Sequence, residues 1–148
     1  MTLLPALAFA RSAEERVSRE LSWTRPDEAF FAAGACHQLA YVMASRSPGA
    51  AIVHLRPRER GGDHMVVQLD DRAFDFNGWN DVAAVIDVNA AAARERYGAD
   101  WSFDRIVVPG DLAGFESYCR SHEHRLAADF AGDVVARAEM YIAGRSLP

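Results

Sequence analysis

The chain has 148 residues, half of them hydrophobic and a quarter charged, which fits a single globular domain. The formal net charge is −5, and the 16 basic residues, all of them Arg, form no continuous run. A nucleic-acid partner is therefore not expected, because neutralising phosphates takes a concentrated patch of positive charge. No apolar stretch approaches the roughly 20 residues that a membrane-spanning helix needs, so no membrane partner is expected either.

The two cysteines, Cys36 and Cys119, are too few and too far apart to indicate a disulfide framework. Two free thiols suit a reducing cytoplasm. The first ten residues are apolar like the core of a secretory signal, but they lack a basic start and contain Pro5. We therefore expect a cytoplasmic protein and leave export as an effector open.

Cap and turn signals predict helices and strands in mixed order. Ser12 followed by Glu15 is a capping box that opens a helix ending near Leu21. A second helix, apolar along most of its length, begins at about Cys36 and ends near Ser45. Strands are predicted over 50–55, 64–69, 73–76 and 103–108, and further helices over 81–97, 111–122 and 126–143. Gly132 is a candidate break in the last of these helices. This order favours one α+β domain over residues 1–148, in which the helix beginning at Cys36 packs on a small antiparallel sheet between N-terminal and C-terminal helices.

Cys36 is the candidate nucleophile. Gly34 and Ala35 precede it and mark the start of the helix, where unpaired backbone N–H groups and the helix dipole favour a thiolate. The amide of Cys36 would also be free to donate a hydrogen bond to an oxyanion.

His64 and Asp75 are the candidate base and its orienting partner. Pairing across the turn at Asp70 and Asp71 would place His64 opposite Asn77, so that Asp75 becomes a diagonal neighbour of His64. An Asp that lies between two Phe residues is costly to bury without a partner, and an imidazole N–H is a natural one. Asn77 is the alternative residue for orienting His64.

Three short segments carry a family resemblance: GACHQLA (34–40), GDHMVV (62–67) and FDFNG (74–78). They resemble the papain-like cysteine superfamily, especially its compact bacterial members of transglutaminase-like or NlpC-type topology. The resemblance implies a papain-like fold with Cys36 as nucleophile, His64 as general base and Asp75 as the residue that orients the base. It departs from papain itself in having no Gln or Asn close upstream of Cys36.

Four residues are candidates for substrate binding. Gln38 and Trp23 are possible oxyanion donors, together with the backbone of His37. Trp23 and Trp79 could form walls of a substrate cleft, and Asn77 lies beside the proposed base.

The remaining histidines are expected to be structural. His37 adjoins Cys36, and helical neighbours point about 100° apart, so His37 is expected to face elsewhere. His54 lies within a strand. His122 and His124 are two positions apart, whereas zinc ligands on a helix are typically four apart, and no metal site is predicted.

The residues together favour cysteine-dependent acyl chemistry on an amide, namely peptide or isopeptide hydrolysis or glutamine deamidation, with a protein or peptide as substrate. This chemistry requires no cofactor. The alternative is a catalytically inactive papain-like scaffold that binds a protein or a small ligand through the same cleft.

Overall fold

Five strands, all paired antiparallel, form one sheet in the computed structural model, which describes residues 2–59 and 61–145. The strands are β1 (Ala51–Pro57), β2 (His64–Leu69), β3 (Arg72–Asp75), β4 (Gly78–Asp81) and β5 (Phe103–Val108). Their order in the sheet is β4-β3-β2-β1-β5. The chain is therefore α+β, as its sequence predicts.

Seven α-helices accompany the sheet in the described ranges. They are α1 (Ala13–Val17), α2 (Arg19–Trp23), α3 (Asp27–Ala32), α4 (Cys36–Arg46), α5 (Val82–Tyr97), α6 (Leu112–Ser121) and α7 (Val134–Ala143), with 3₁₀ turns at Ala6–Phe9 and Ala127–Asp129. Among the residues described, none of the helices is both long enough and apolar enough to cross a membrane.

The alternation of side chains along β2 separates two apolar cores. Met65 and Val67 belong to the larger core, which includes Leu39 of α4. Val66 belongs to a second core with Val85 of α5. Each fully buried aliphatic side chain stabilises the fold by about 1.5–3 kcal/mol, so α4 is held firmly against one face of the sheet. This packing fixes the position of Cys36, the first residue of α4.

The hairpin between β2 and β3 has the predicted register. Val67 pairs with Phe74 and Leu69 with Arg72, which is the offset expected from a turn at Asp70 and Asp71. Asp70 takes a left-handed conformation with φ of 54°, which Asp tolerates better than most residues.

The predicted helix that opens at Ser12 is divided in the structure into two helices, α1 and α2. The capping box is present, since Ser12 Oγ accepts from the Glu15 amide at 3.1 Å and Glu15 Oε1 accepts from the Ser12 amide at 2.8 Å. The helix then breaks at Ser18, whose hydroxyl accepts from the Leu21 amide at 3.2 Å and caps a new helix. A serine side chain that competes for backbone amides favours a cap over a helix interior.

One further boundary differs from the predicted one. Phe76 and Asn77 form a turn, and Gly78 with φ of 89° opens β4, a strand that the sequence did not predict. The predicted helix over 126–143 is interrupted near Gly132, the candidate break: a 3₁₀ turn over Ala127–Asp129 is followed by α7, which begins at Val134 and is capped by Asp133.

Candidate active site

Cys36 occupies the first position of α4 and lines a cavity of about 690 Å³. Gly34, with φ of 107°, turns the chain into the helix. The N-cap is Ala35, which offers no side-chain acceptor to the first amides of the helix. The thiol is half-buried. Cys36 therefore borders the cavity at the start of a helix, and the helix begins where the sequence predicts.

His64 and Asp75 form a buried pair. His64 Nε2 lies 3.1 Å from Asp75 Oδ2, and each residue is only 2% exposed. The other carboxylate oxygen accepts a hydrogen bond from the Asn77 amide at 2.8 Å. Both oxygens of Asp75 are thus engaged, which offsets part of the cost of burying the charge.

The second ring nitrogen of His64 is the one that Asp75 does not bind. His64 Nδ1 is buried and unpartnered among the described residues, yet the ring and the Cys36 thiol influence each other strongly. Burial by itself raises the pKa of Cys36, but interactions with His37 and His64 outweigh it and lower the pKa to about 6.

The same interaction acts on the imidazole of His64 in the opposite direction. Burial alone lowers the pKa of His64, but the bond to Asp75 and the neighbouring Cys36 outweigh it and raise the pKa to about 10. The two opposite shifts both favour a Cys36 thiolate beside a His64 imidazolium.

His37 does not face away from Cys36, contrary to the sequence-based expectation. Its Nε2 lies 2.6 Å from the carbonyl oxygen of Arg125, its ring lines the cavity, and its interaction with the thiol helps to lower the pKa of Cys36. Helical spacing alone predicts a difference in direction between neighbours, but not which of them faces a cavity. The site therefore has a second imidazole beside the thiol.

Cys119 lies in a contrasting environment. It is fully buried in the larger apolar core. Burial raises the pKa of its thiol to about 12, because an ionised sulfur there has no compensating partner. Cys119 is therefore a chemical control for Cys36 within the same chain.

None of the four predicted substrate-binding residues lines the described cavity. Trp23 packs edge-on against Phe30 at 5.4 Å between ring centres. Trp79 is buried against Phe74 at 5.5 Å. Both aromatic rings serve packing, which their sequence positions did not reveal.

The two predicted amide side chains are occupied elsewhere. Gln38 Nε2 donates to the Arg125 carbonyl at 3.3 Å. Asn77 binds the backbone of Leu4 through both amide atoms, at 3.2 and 3.1 Å. Asp75, and not Asn77, is the residue whose side chain bonds His64.

Three arginines line the cavity, and the sequence analysis missed them. Arg11, Arg16 and Arg125 come from both ends of the chain, and Arg125 Nη2 donates to the Arg16 carbonyl at 2.8 Å. A Cβ atom added to Gly34 would lie 3.1 Å from the Arg11 side chain, so Arg11 covers the turn that leads into Cys36. No local sequence pattern signals this set, because the fold assembles it from residues more than 100 positions apart.

A second polar cluster borders the same cavity and could hold a metal ion. It consists of His54, Asp63 and His124, of which Asp63 and His124 line the cavity.

Comparisons of the chain with protein-family models, with curated proteins and with solved structures give no significant match. The resemblance to the papain-like superfamily therefore depends on the three segments and on the site residues themselves.

The difference between the two thiols predicts selective alkylation. Iodoacetamide reacts with thiolates, so Cys36 is expected to be labelled much faster than Cys119 at pH 6–7. The rate at Cys36 should rise as the pH passes through about 6 and then level off. Peptide mapping by mass spectrometry after timed labelling measures both rates.

A His64→Gln variant tests whether Cys36 is labelled quickly because its thiol is ionised or only because it is accessible. Loss of the imidazole should move the rise in the Cys36 labelling rate to higher pH. His122→Gln should leave the rise at the same pH, because His122 does not contribute to the lowered pKa of Cys36. Equal slow labelling of both cysteines, or an unchanged profile in His64→Gln, would contradict the assignment of an ion pair.

Proposed function

We propose that the chain performs cysteine-dependent acyl chemistry on an amide, with Cys36 as nucleophile, His64 as general acid and base, and Asp75 as the residue that orients His64. The observation that carries the proposal is the position of Cys36 at the start of α4 beside a cavity, together with the buried pair in which His64 Nε2 lies 3.1 Å from Asp75 Oδ2. The opposite pKa shifts of Cys36 and His64 support it. The order along the chain of the helix that begins at Cys36 and the later strands β2 and β3, which carry His64 and Asp75, also supports a papain-like architecture.

The first half of the reaction follows from the ion pair. The thiolate of Cys36 attacks the amide carbonyl carbon and forms a carbon–sulfur bond, and the negative charge moves to the carbonyl oxygen. When the carbon–nitrogen bond breaks, the Nδ1 proton of His64 passes to the departing amine or ammonia. Asp75 stabilises the imidazolium until that proton leaves.

The second half regenerates the resting state. Water attacks the thioester while the neutral His64 takes one of its protons, and collapse of the adduct releases a carboxylic acid and the Cys36 thiolate. An amine in place of water gives a transfer product instead.

The developing oxyanion needs hydrogen-bond donors. The Gln38 side chain is engaged with the Arg125 carbonyl, so the backbone amides at the start of α4 are the better candidates. No side chain caps them at Ala35. Preorganised donors of this kind contribute about 3–4 kcal/mol each to the stabilisation of a transition state.

The cavity favours a substrate that carries a negative charge near the reacting amide. Arg11, Arg16 and Arg125 line it, against Asp63 and Glu123. Asp63 is already engaged with His54 at 3.1 Å, and Arg125 Nη1 has no hydrogen-bond partner among the described residues. A peptide carboxylate would satisfy this excess of donors.

N-acetyl-glutamic acid γ-(p-nitroanilide) tests the reaction, because it presents a γ-amide beside a free α-carboxylate. We expect release of p-nitroaniline and a covalent acyl adduct on Cys36 in the intact mass. Cys36→Ser and Cys36→Ala should abolish both, and His64→Gln or Asp75→Asn should lower the rate by about 10²–10⁴-fold.

Two control variants keep the experiment interpretable. Cys119→Ser and His122→Gln should retain the activity, and circular dichroism should show that every variant is folded. Absence of both adduct and product over an extended series of peptide amides would overturn the proposal and favour the inactive binding scaffold.

The α-methyl ester of the same anilide tests the preference for charge. The neutral ester should react more slowly by about tenfold or more, since a hydrogen bond to a charged group contributes about 1.5–3 kcal/mol. Arg11→Gln should remove much of this discrimination, while Arg19→Gln, an exposed arginine outside the cavity, should preserve it. Equal rates for acid and ester in the unaltered chain would contradict the assigned role of the arginines.

A further inference from the structure

Three potential metal ligands converge from three separate parts of the chain. His54 belongs to β1, Asp63 immediately precedes β2, and His124 follows α6. His54 Nε2 lies 3.1 Å from Asp63 Oδ2, and His124 Nε2 lies 3.5 Å from the same oxygen. All three ligand atoms lie within 4.8 Å of one another.

The two separations from Asp63 Oδ2 are close to those around a tetrahedral metal ion. Zinc binds histidine nitrogen and carboxylate oxygen at about 2.0–2.2 Å, which places neighbouring ligand atoms about 3.3–3.5 Å apart. We propose that His54, Asp63 and His124 bind a divalent transition-metal ion, with Zn²⁺ as the reference case.

The surroundings of His54 support ligation through Nε2. Its Nδ1 lies 2.7 Å from the Tyr118 hydroxyl. A metal on Nε2 requires the proton on Nδ1, and Tyr118 then accepts a hydrogen bond from it. Metal-binding histidines are commonly oriented in this way by a second hydrogen bond.

The backbone immediately before His124 takes a conformation that is unfavourable for a residue other than glycine. The preceding residue, Glu123, takes a left-handed conformation with φ of 59°, one of only two such non-glycine residues in the described part of the chain. His124 Nε2 is buried there and, apart from its 3.5 Å contact with Asp63 Oδ2, has no hydrogen-bond partner among the described residues. A buried nitrogen without a partner is costly, and a metal ion would satisfy it.

An open coordination position faces the cavity. Asp63 and His124 both line it, and the Asp63 side chain is 44% exposed. Three protein ligands with a free fourth position are typical of zinc sites that bind water or a substrate. The His124 ring centre lies 5.1 Å from that of His37, so the proposed ion shares the cavity with the Cys36 site.

The assignment revises the expectation formed from residues 122–124. His122 is not a ligand, since its ring stacks on Tyr118 at 4.0 Å and its Nδ1 donates to the Tyr118 carbonyl at 2.9 Å. The other two proposed ligands, His54 and Asp63, lie far from His124 in the sequence, so the spacing between His122 and His124 could not indicate them. His122 instead provides a matched control.

Calorimetric titration with ZnCl₂ tests the site on the unaltered chain and on Cys36→Ser. One equivalent should bind to both, because Cys36 is not among the ligands, and the result is independent of whether the chain is a cysteine enzyme. Asp63→Asn and His124→Ala should each weaken binding at least about tenfold, while His122→Ala should bind as the unaltered chain does.

Co²⁺ spectroscopy provides the second readout. The bound ion should show the visible bands of a four-coordinate nitrogen–oxygen site without thiolate-to-cobalt charge transfer. Absence of stoichiometric binding, loss of binding in Cys36→Ser, or equal affinities in His124→Ala and His122→Ala would overturn the proposal.

Discussion

The buried carboxylate of Asp75 is the constraint on which the candidate site depends. A charge at this depth needs compensation, and one of its oxygens is bonded by His64 while the other accepts the Asn77 amide. Breaking such a buried pair costs about 3–5 kcal/mol, so the fold itself keeps the imidazole in a single orientation. That orientation leaves His64 Nδ1 without a hydrogen-bond partner among the described residues.

The register of the antiparallel sheet determines on which face Asp75 lies. A slip of one residue between β2 and β3 would send Asp75 to the other face of the sheet, and the apolar packing of Val67 and Phe74 in the larger core opposes that slip. Because α4 packs on the same core through Leu39, the helix that begins at Cys36 and the two strands that carry His64 and Asp75 share one packed core.

The parts of the site governed by local rules could be predicted from the sequence. The turn at Asp70 fixed the hairpin offset, and the glycine before Cys36 marked the helix start. The cavity could not be predicted, because Arg11, Arg125 and Asp63 meet only through tertiary packing. Trp23 and Asn77 were predicted to contact the substrate, but neither lines the cavity. A side chain suited to binding a substrate is equally suited to packing or to holding a backbone segment, so the residue type alone does not distinguish these roles.

Protonation of His64 tests the central claim most directly. In a ¹⁵N NMR titration of the histidine rings, we expect His64 to remain an imidazolium at pH 8 in the unaltered chain. Its pKa should fall in Cys36→Ser, where the thiolate is lost, and fall further in Asp75→Asn. A neutral His64 ring at pH 8, with the same titration in Cys36→Ser, would contradict the account.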